Sequence, residues 1–121
     1  MSQKILLVED DEGLRLLYQE ELQTEGYDVV AASNGKEAIQ KLEQEGYDLV
    51  ILDIVMPEMD GIEALGRIIG KHRKIPIVLH TLYADYWRDF MSWAADAYLM
   101  KSSDLTELKQ KVRELLERGR P

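Results

Sequence analysis

The chain has 121 residues, of which 45% are hydrophobic and 31% are charged, and it contains no cysteine. This length and composition are typical of one globular domain whose core needs neither disulfides nor a structural zinc. Its 23 acidic residues outnumber its 15 basic residues and give a net charge of −8. Because nucleic acids and anionic membranes attract basic surfaces, we expect neither as a direct partner. No apolar run approaches the roughly 18 residues of a spanning helix, and no secretory signal is recognised, so we expect a cytoplasmic location.

Five short apolar runs recur along the chain, each of strand length and without polar alternation. They are residues 5–8, 29–31, 49–52, 77–79 and 97–100. Unalternated runs are typical of strands that are covered on both faces. Segments with helical periodicity lie between them, and no two runs are placed to form a hairpin. Five strands alternating with five helices predict an α/β domain, a single doubly wound parallel sheet. The strand order that we expect for it is the flavodoxin-like 2-1-3-4-5. We expect one domain over residues 1–121, with its core at about 4–118.

Polar residues and glycines mark the predicted helix ends. Asn34 precedes Glu37 by three residues, and Asp104 precedes Glu107 by three, and both pairs are variants of the capping box. Glycines at positions 26, 46 and 119 stand where helices should stop. The third helix is predicted to begin after Gly61.

Acidic residues follow two of the predicted strands. A doubly wound sheet binds ligands outside the carboxyl ends of its strands. In the order 2-1-3-4-5 the first and third strands are neighbours, so Glu9, Asp10 and Asp53 should converge on one pocket, flanked by Thr81 and Lys101. Three carboxylates in one cleft repel one another unless a cation compensates, and ligands that are all oxygen suit Mg²⁺. The alternative for the acidic run at 9–12 alone is a solvated helix N-terminus.

The same residue types suit phosphoryl transfer. A carboxylate beside Mg²⁺ can attack a phosphoryl group and form an acyl phosphate. The metal, an ammonium group and a hydroxyl group can then share the charge on the phosphoryl oxygens.

Four segments of the sequence resemble the receiver domains of two-component response regulators, over about residues 4–116. They are ILLVEDD from residue 5, LDIVMPEMDG from residue 52, Thr81, and YLMK from residue 98. The resemblance implies that Asp53 is the phosphoacceptor and that Glu9 and Asp10 serve Mg²⁺. It also implies that the backbone carbonyl of Val55 is a further metal ligand.

The resemblance assigns roles to three more residues and implies partners. Thr81 and Lys101 would hold the phosphoryl oxygens, and Thr81 and Tyr98 would form a switch. The phosphodonor would be the phosphohistidine of a sensor histidine kinase. Phosphorylation would shift a two-state equilibrium and reshape the face of helix 4, strand 5 and helix 5.

The output expected from the resemblance is a changed surface rather than a product. That surface would contact a downstream protein or a histidine phosphotransfer protein, and a phosphorylation-dependent homodimer is a further option. We expect a phosphoacceptor rather than an enzyme, one that at most promotes its own phosphotransfer and dephosphorylation. As given, the chain resembles stand-alone, CheY-like receivers.

Five of the nine aromatic residues lie between positions 83 and 93. On a helix, Tyr83 and Trp87 would form one stripe, and Tyr86, Phe90 and Trp93 would form a second stripe at a different angle. Only one stripe can face the sheet, so the second is predicted to be a partner surface, with ordinary packing as the alternative.

Two residues depart from the family pattern, and one alternative function stays open. Leu82 follows Thr81 where the family usually has Ala or Gly, and we expect it to cover part of the pocket. Ser102 follows Lys101 where Pro is usual, which predicts a different loop. A phosphatase of the haloacid dehalogenase type would need a second acidic residue at position 55. The chain has Val55 there, which argues against that function.

The remaining alternative is a pseudo-receiver that binds partners without being phosphorylated.

Overall fold

The computed structural model of the chain describes residues 2–53, 66–68, 70, 71, 74–82 and 95–118. Its helices are α1 (Glu12–Thr24), α2 (Gly35–Gln44) and a C-terminal helix (Thr106–Arg118), and residues 66–68, 70 and 71 are also helical. Its strands are β1 (Lys4–Val8), β2 (Asp28–Ala32), β3 (Leu49–Leu52), β4 (Ile77–Thr81) and β5 (Ala97–Met100). The predicted fourth helix lies outside the described residues. In the part of the chain that is described, no helix is long and apolar enough to cross a membrane.

The five strands form one parallel sheet in the order β2-β1-β3-β4-β5. The predicted doubly wound α/β topology is therefore confirmed. Val8 of β1 lies opposite Leu52 of β3, so the segments that follow these two strands leave the sheet side by side. One expected boundary is wrong, because β4 extends past the apolar run at 77–79 and includes His80 and Thr81. Both pair with β5, because His80 lies opposite Leu99 and Thr81 lies opposite Met100.

The sheet is buried on both faces, as the unalternated apolar runs predict. Alternate residues of β1 enter different cores, because successive side chains of a strand point to opposite faces. One core contains side chains of α1 and the C-terminal helix, and the other contains side chains of α2 and Ile68. Burying a Leu or Ile side chain in this way contributes about 1.5–3 kcal/mol of hydrophobic free energy. The fully buried central strands therefore give the strand ends a rigid base.

Five residues are predicted to mark helix ends, and Asn34 and Gly26 are confirmed while Asp104 is wrong. Gly46 lies two residues past the end of α2, and Gly119 lies outside the described residues. Asn34 Oδ1 accepts a hydrogen bond of 2.8 Å from the Glu37 backbone N–H at the start of α2, as predicted. Gly26 has a φ of 99°, a left-handed conformation that suits glycine after α1. The predicted cap on Glu107 is wrong, because Asp104 Oδ1 accepts from the Thr106 N–H at 2.9 Å instead. Short Asp side chains readily form such local bonds two residues ahead.

Candidate functional site

Backbone hydrogen bonds extend the sheet past its last strand residues and hold the candidate site in place. The Glu9 N–H donates to the Ala32 carbonyl at 3.0 Å, and the Asp53 N–H donates to the Val8 carbonyl at 3.2 Å. The Lys101 N–H donates to the Thr81 carbonyl at 2.7 Å. Because each bond continues a strand pairing, the sheet fixes the backbone positions of Glu9, Asp53 and Lys101.

The acidic run after β1 divides into three different environments. Glu9 is buried and points into the pocket, and its Oε2 accepts a 3.1 Å hydrogen bond from the Asp11 N–H. Asp10 is exposed at the mouth. Asp11 caps α1, with Oδ1 accepting from the Leu14 N–H at 2.9 Å. The helix-start interpretation is therefore right for Asp11, whereas Glu9 belongs to the pocket.

The carboxylates of Glu9, Asp10 and Asp53 form one cluster. One oxygen from each side chain can be chosen so that all three lie within 4.8 Å of one another. Such spacing allows a single cation to contact all three groups, and carboxylate oxygens are the ligands that Mg²⁺ prefers in proteins. Val55, the predicted source of a further carbonyl ligand, lies outside the described residues.

Lys101 lies between two of these carboxylates. Its Nζ is 2.6 Å from Glu9 Oε1 and 2.7 Å from Asp53 Oδ2. The side chains of Lys101, Glu9 and Asp53 are only 6%, 2% and 8% exposed, respectively. Charge-assisted hydrogen bonds of this length are among the stronger polar contacts in proteins. The pocket is thus a buried three-member charge cluster with an exposed fourth member, Asp10.

Burial and charge act in opposite directions on the titration of this cluster. Burial raises the pKa of Glu9 above its ordinary value, and the hydrogen bonds from Lys101 and Asp11 only partly offset that effect. For Lys101, burial acts to lower the pKa, but the hydrogen bonds to Asp53 and Glu9 outweigh it and the pKa is raised. Lys101 therefore carries its positive charge at neutral pH.

The two predicted switch residues share one face of the sheet. Thr81 is fully buried at the end of β4, and Tyr98 of β5 lies opposite Leu79. Leu79 and Thr81 are two residues apart, so their side chains point to the same face, where Tyr98 also packs. The predicted partner surface lies outside the described residues. Its members are Tyr86, Phe90 and Trp93.

Two features near the site were not anticipated from the sequence. Arg15 Nη1 donates to the Glu9 carbonyl at 3.0 Å and to the Asp10 carbonyl at 3.4 Å, which ties the loop after β1 to α1. A basic residue in the first turn of the helix that follows an acidic run was the available signal. His80 is buried against Tyr18, and no sequence pattern indicated that these two rings meet.

An apolar groove of about 400 Å³ opens beside Lys101. It is lined by Leu14, Leu17 and Tyr18 of α1, by Leu82, and by residues 101–103. Leu82 is 63% exposed, so it stands at the rim of the groove. The loop after Lys101 is held locally, since Ser102 Oγ accepts a 3.1 Å hydrogen bond from the Asp104 N–H.

Fold and site together define a doubly wound α/β domain with flavodoxin-like strand order, with an acidic pocket and a lysine at the carboxyl ends of its strands. The response regulator receiver domain family matches residues 5–113. The chain belongs to this family.

Comparison with individual proteins gives the same assignment. The response regulator protein TrrA of Thermotoga maritima, crystallised in complex with Mg(2+)-BeF, is 48% identical, with a TM-score of 0.89 over 93% of this chain and 98% of that chain. Sporulation initiation phosphotransferase F of Bacillus subtilis is 35% identical over 96% of this chain and 95% of its own length. The regulator PhoP of the same species is 35% identical over 98% of this chain but 50% of its own length. The chain thus spans about half the length of some curated relatives.

Proposed function

We propose that Asp53 accepts a phosphoryl group from the phosphohistidine of a sensor histidine kinase in a Mg²⁺-dependent reaction. The observation that carries this proposal is the meeting of the Glu9, Asp10 and Asp53 carboxylates with the Lys101 ammonium at the carboxyl ends of the strands. The acting unit is the domain at about residues 4–118. As in the family, the result is a modified surface rather than a released product.

The residues present fit the metal. Glu9, Asp10 and Asp53 offer oxygen ligands close enough for one ion, and they would hold Mg²⁺ together with the Val55 carbonyl. When bound, Mg²⁺ supplies positive charge that stabilises the oxygens of the transferring phosphoryl group.

In the proposed transfer, a carboxylate oxygen of Asp53 attacks the phosphorus atom in line with the donor imidazole. The new bond joins that oxygen to phosphorus, and the bond from phosphorus to the imidazole nitrogen breaks. The electron pair stays on the imidazole, which then takes up a proton. Lys101, already 2.7 Å from Asp53 Oδ2, is placed to donate to a phosphoryl oxygen. The Thr81 hydroxyl would donate to another.

The output proposed for the phosphorylated state is a change in surface shape. Thr81 moves toward the new oxygens, and Tyr98, on the same face of the sheet, moves into the space behind it. The change reaches the face of the predicted helix 4, β5 and the C-terminal helix, including Tyr86, Phe90 and Trp93. That face would bind a downstream protein, a histidine phosphotransfer protein or a second copy of the chain.

The relatives support both the metal and the donor in this proposal. TrrA has been crystallised with Mg(2+)-BeF, and another structure is of the histidine kinase ThkA in complex with TrrA. In the second structure TrrA is again 48% identical to this chain, with a TM-score of 0.86. By this similarity, a histidine kinase is the partner we propose here.

The test is intact-mass measurement after incubation with Mg²⁺ and acetyl phosphate, a small phosphodonor. We expect a gain of one phosphoryl group in the wild type and none in Asp53→Asn or in the presence of EDTA. Asp28→Asn is the matched control, because Asp28 is an exposed aspartate at the start of β2, at the opposite end of the strand from the site. It should gain the phosphoryl group as the wild type does.

A folded wild-type protein that gains no mass from acetyl phosphate or from a phosphorylated histidine kinase would contradict the proposal. That result would favour the pseudo-receiver, which binds partners without phosphorylation. A gain that persists in Asp53→Asn would move the acceptor to another residue.

A further inference from the structure

The Lys101 ammonium holds two of the three carboxylates that would bind the metal. Its Nζ contacts Glu9 Oε1 at 2.6 Å and Asp53 Oδ2 at 2.7 Å, and all three side chains are almost fully buried. We infer that Lys101 is the internal counter-ion of this pocket, and that a divalent cation binds by taking Glu9 away from it. The inference rests on the metal site proposed above and concerns how that site is filled.

Glu9 is the carboxylate for which the Lys101 ammonium and a divalent metal ion would compete most directly. Its Oε2 is already held by the Asp11 N–H, and its Oε1 is held by Lys101. A metal ion that reaches Glu9 Oε1 would stand next to the ammonium, and two cations in a poorly solvated pocket repel strongly. Lys101 must therefore give up Glu9 when the metal arrives.

The exchange would set an order of events at the site. Asp10 is exposed at the mouth, so it is the carboxylate that an incoming metal meets first. Once the metal has taken Glu9, Lys101 keeps its contact with Asp53 and gains free N–H donors. Those donors are then available for the oxygens of a phosphoryl group, so the metal prepares Lys101 for the donor.

The first experiment measures Mn²⁺ binding at pH 8 by the loss of the free-ion EPR signal. We expect Lys101→Met to bind Mn²⁺ about tenfold more tightly than the wild type, or more, because a competing positive charge has been removed. The matched control is Lys109→Met. Lys109 makes an equally short ion pair, 2.6 Å to Glu21, but on the partly exposed surface between α1 and the C-terminal helix. Its loss changes the net charge by the same amount and should leave Mn²⁺ affinity within about twofold.

A second measurement follows Mg²⁺ binding in the wild type and uses the Lys101→Met variant only to assign a resonance. In protein labelled with ¹³C at the lysine Cε, the Lys101 resonance, assigned by its loss in Lys101→Met, should shift on addition of Mg²⁺. The Lys109 resonance should stay in place.

The outcomes separate this inference from the proposed function. Mn²⁺ affinity in folded Lys101→Met that equals or falls below that of the wild type would overturn the inference, and so would a Lys101 resonance that does not move at saturating Mg²⁺. In both cases the metal site itself would stand. A wild-type protein that binds neither Mn²⁺ nor Mg²⁺ would instead remove the metal site, and the inference with it.

Discussion

The ring of Tyr18 meets the ring of His80 edge-on, with 5.0 Å between ring centroids and 64° between planes. Both side chains are buried, so the contact joins the middle of α1 to β4 one residue before Thr81. Edge-to-face pairs of this kind contribute about 0.5–1.5 kcal/mol beyond their hydrophobic burial. The helix that follows the acidic run is thereby tied to the strand that carries a proposed switch residue.

The buried His80 makes folding sensitive to acid. Burial, aided by the positive charge of Lys101, lowers the pKa of His80 from 6.5 to about 4. Between these pH values the unfolded chain binds a proton at this residue that the folded protein does not, so stability is lost as pH falls. We expect this residue alone to cost about 2 kcal/mol between pH 7 and pH 5. Urea unfolding at both pH values measures it.

His80→Phe provides the comparison for that experiment, because it keeps an aromatic ring against Tyr18 and cannot be protonated. The carboxylates titrate in both proteins, so the difference between their pH slopes isolates His80. We expect the variant to lose less stability than the wild type on acidification. Equal slopes would contradict the assignment of a buried, neutral His80.

The buried face of α1 should carry most of what the helix contributes to stability. Leu22 is 1% exposed and Leu16 is 58% exposed on the same helix, which makes them a matched pair. Leu22→Ala should reduce the free energy of unfolding by about 2–5 kcal/mol, because it removes buried methyl groups and leaves a cavity. Leu16→Ala should change it by less than about 0.5 kcal/mol. Denaturant titration measures the free energy of unfolding of both variants. Similar losses of stability in Leu22→Ala and Leu16→Ala would contradict the placement of α1.

The sheet and the outline of the site could be predicted from the sequence because each depends on a strong local signal. Residues 49–52 form a continuous apolar run, and the strand has those same bounds. Parallel strands in a doubly wound order bring their carboxyl ends together, which is enough to place Glu9 near Asp53.

The finer contacts depend on side-chain geometry that no spacing reveals. Lys101 reaches both Glu9 and Asp53 only because its long side chain meets two others in a buried pocket. Asp104 had the spacing of a capping box but bonds two residues ahead, since a local turn competes with the cap. Tyr18 and His80 are distant in sequence, and only the packing of α1 on the sheet brings them together.

Metal binding should stabilise the folded protein. A ligand that binds only the folded state adds RT ln(1 + [L]/Kd), about 2.7 kcal/mol at a hundredfold excess over Kd. For a domain of this size we expect Mg²⁺ to raise the melting temperature by several degrees, and EDTA to reverse the rise. Asp10→Asn removes an exposed ligand and leaves the contacts of Lys101 with Glu9 and Asp53 in place, so it should reduce the Mg²⁺-dependent rise. Asp28→Asn should keep the full rise, and a rise that Asp10→Asn leaves unchanged would contradict the proposed ligand set.

Leu82 should lengthen the lifetime of the proposed aspartyl phosphate. Its apolar side chain stands at the rim of the groove that Lys101 also lines. We expect it there to restrict the approach of water to the phosphorylated Asp53. Leu82→Ala should therefore lose phosphate faster than the wild type, as measured by intact mass over time after the donor is removed. Leu16→Ala is the matched control, since Leu16 is similarly exposed on α1 but does not line the groove. Equal lifetimes in Leu82→Ala and the wild type would show that water reaches Asp53 by a path that Leu82 does not cover.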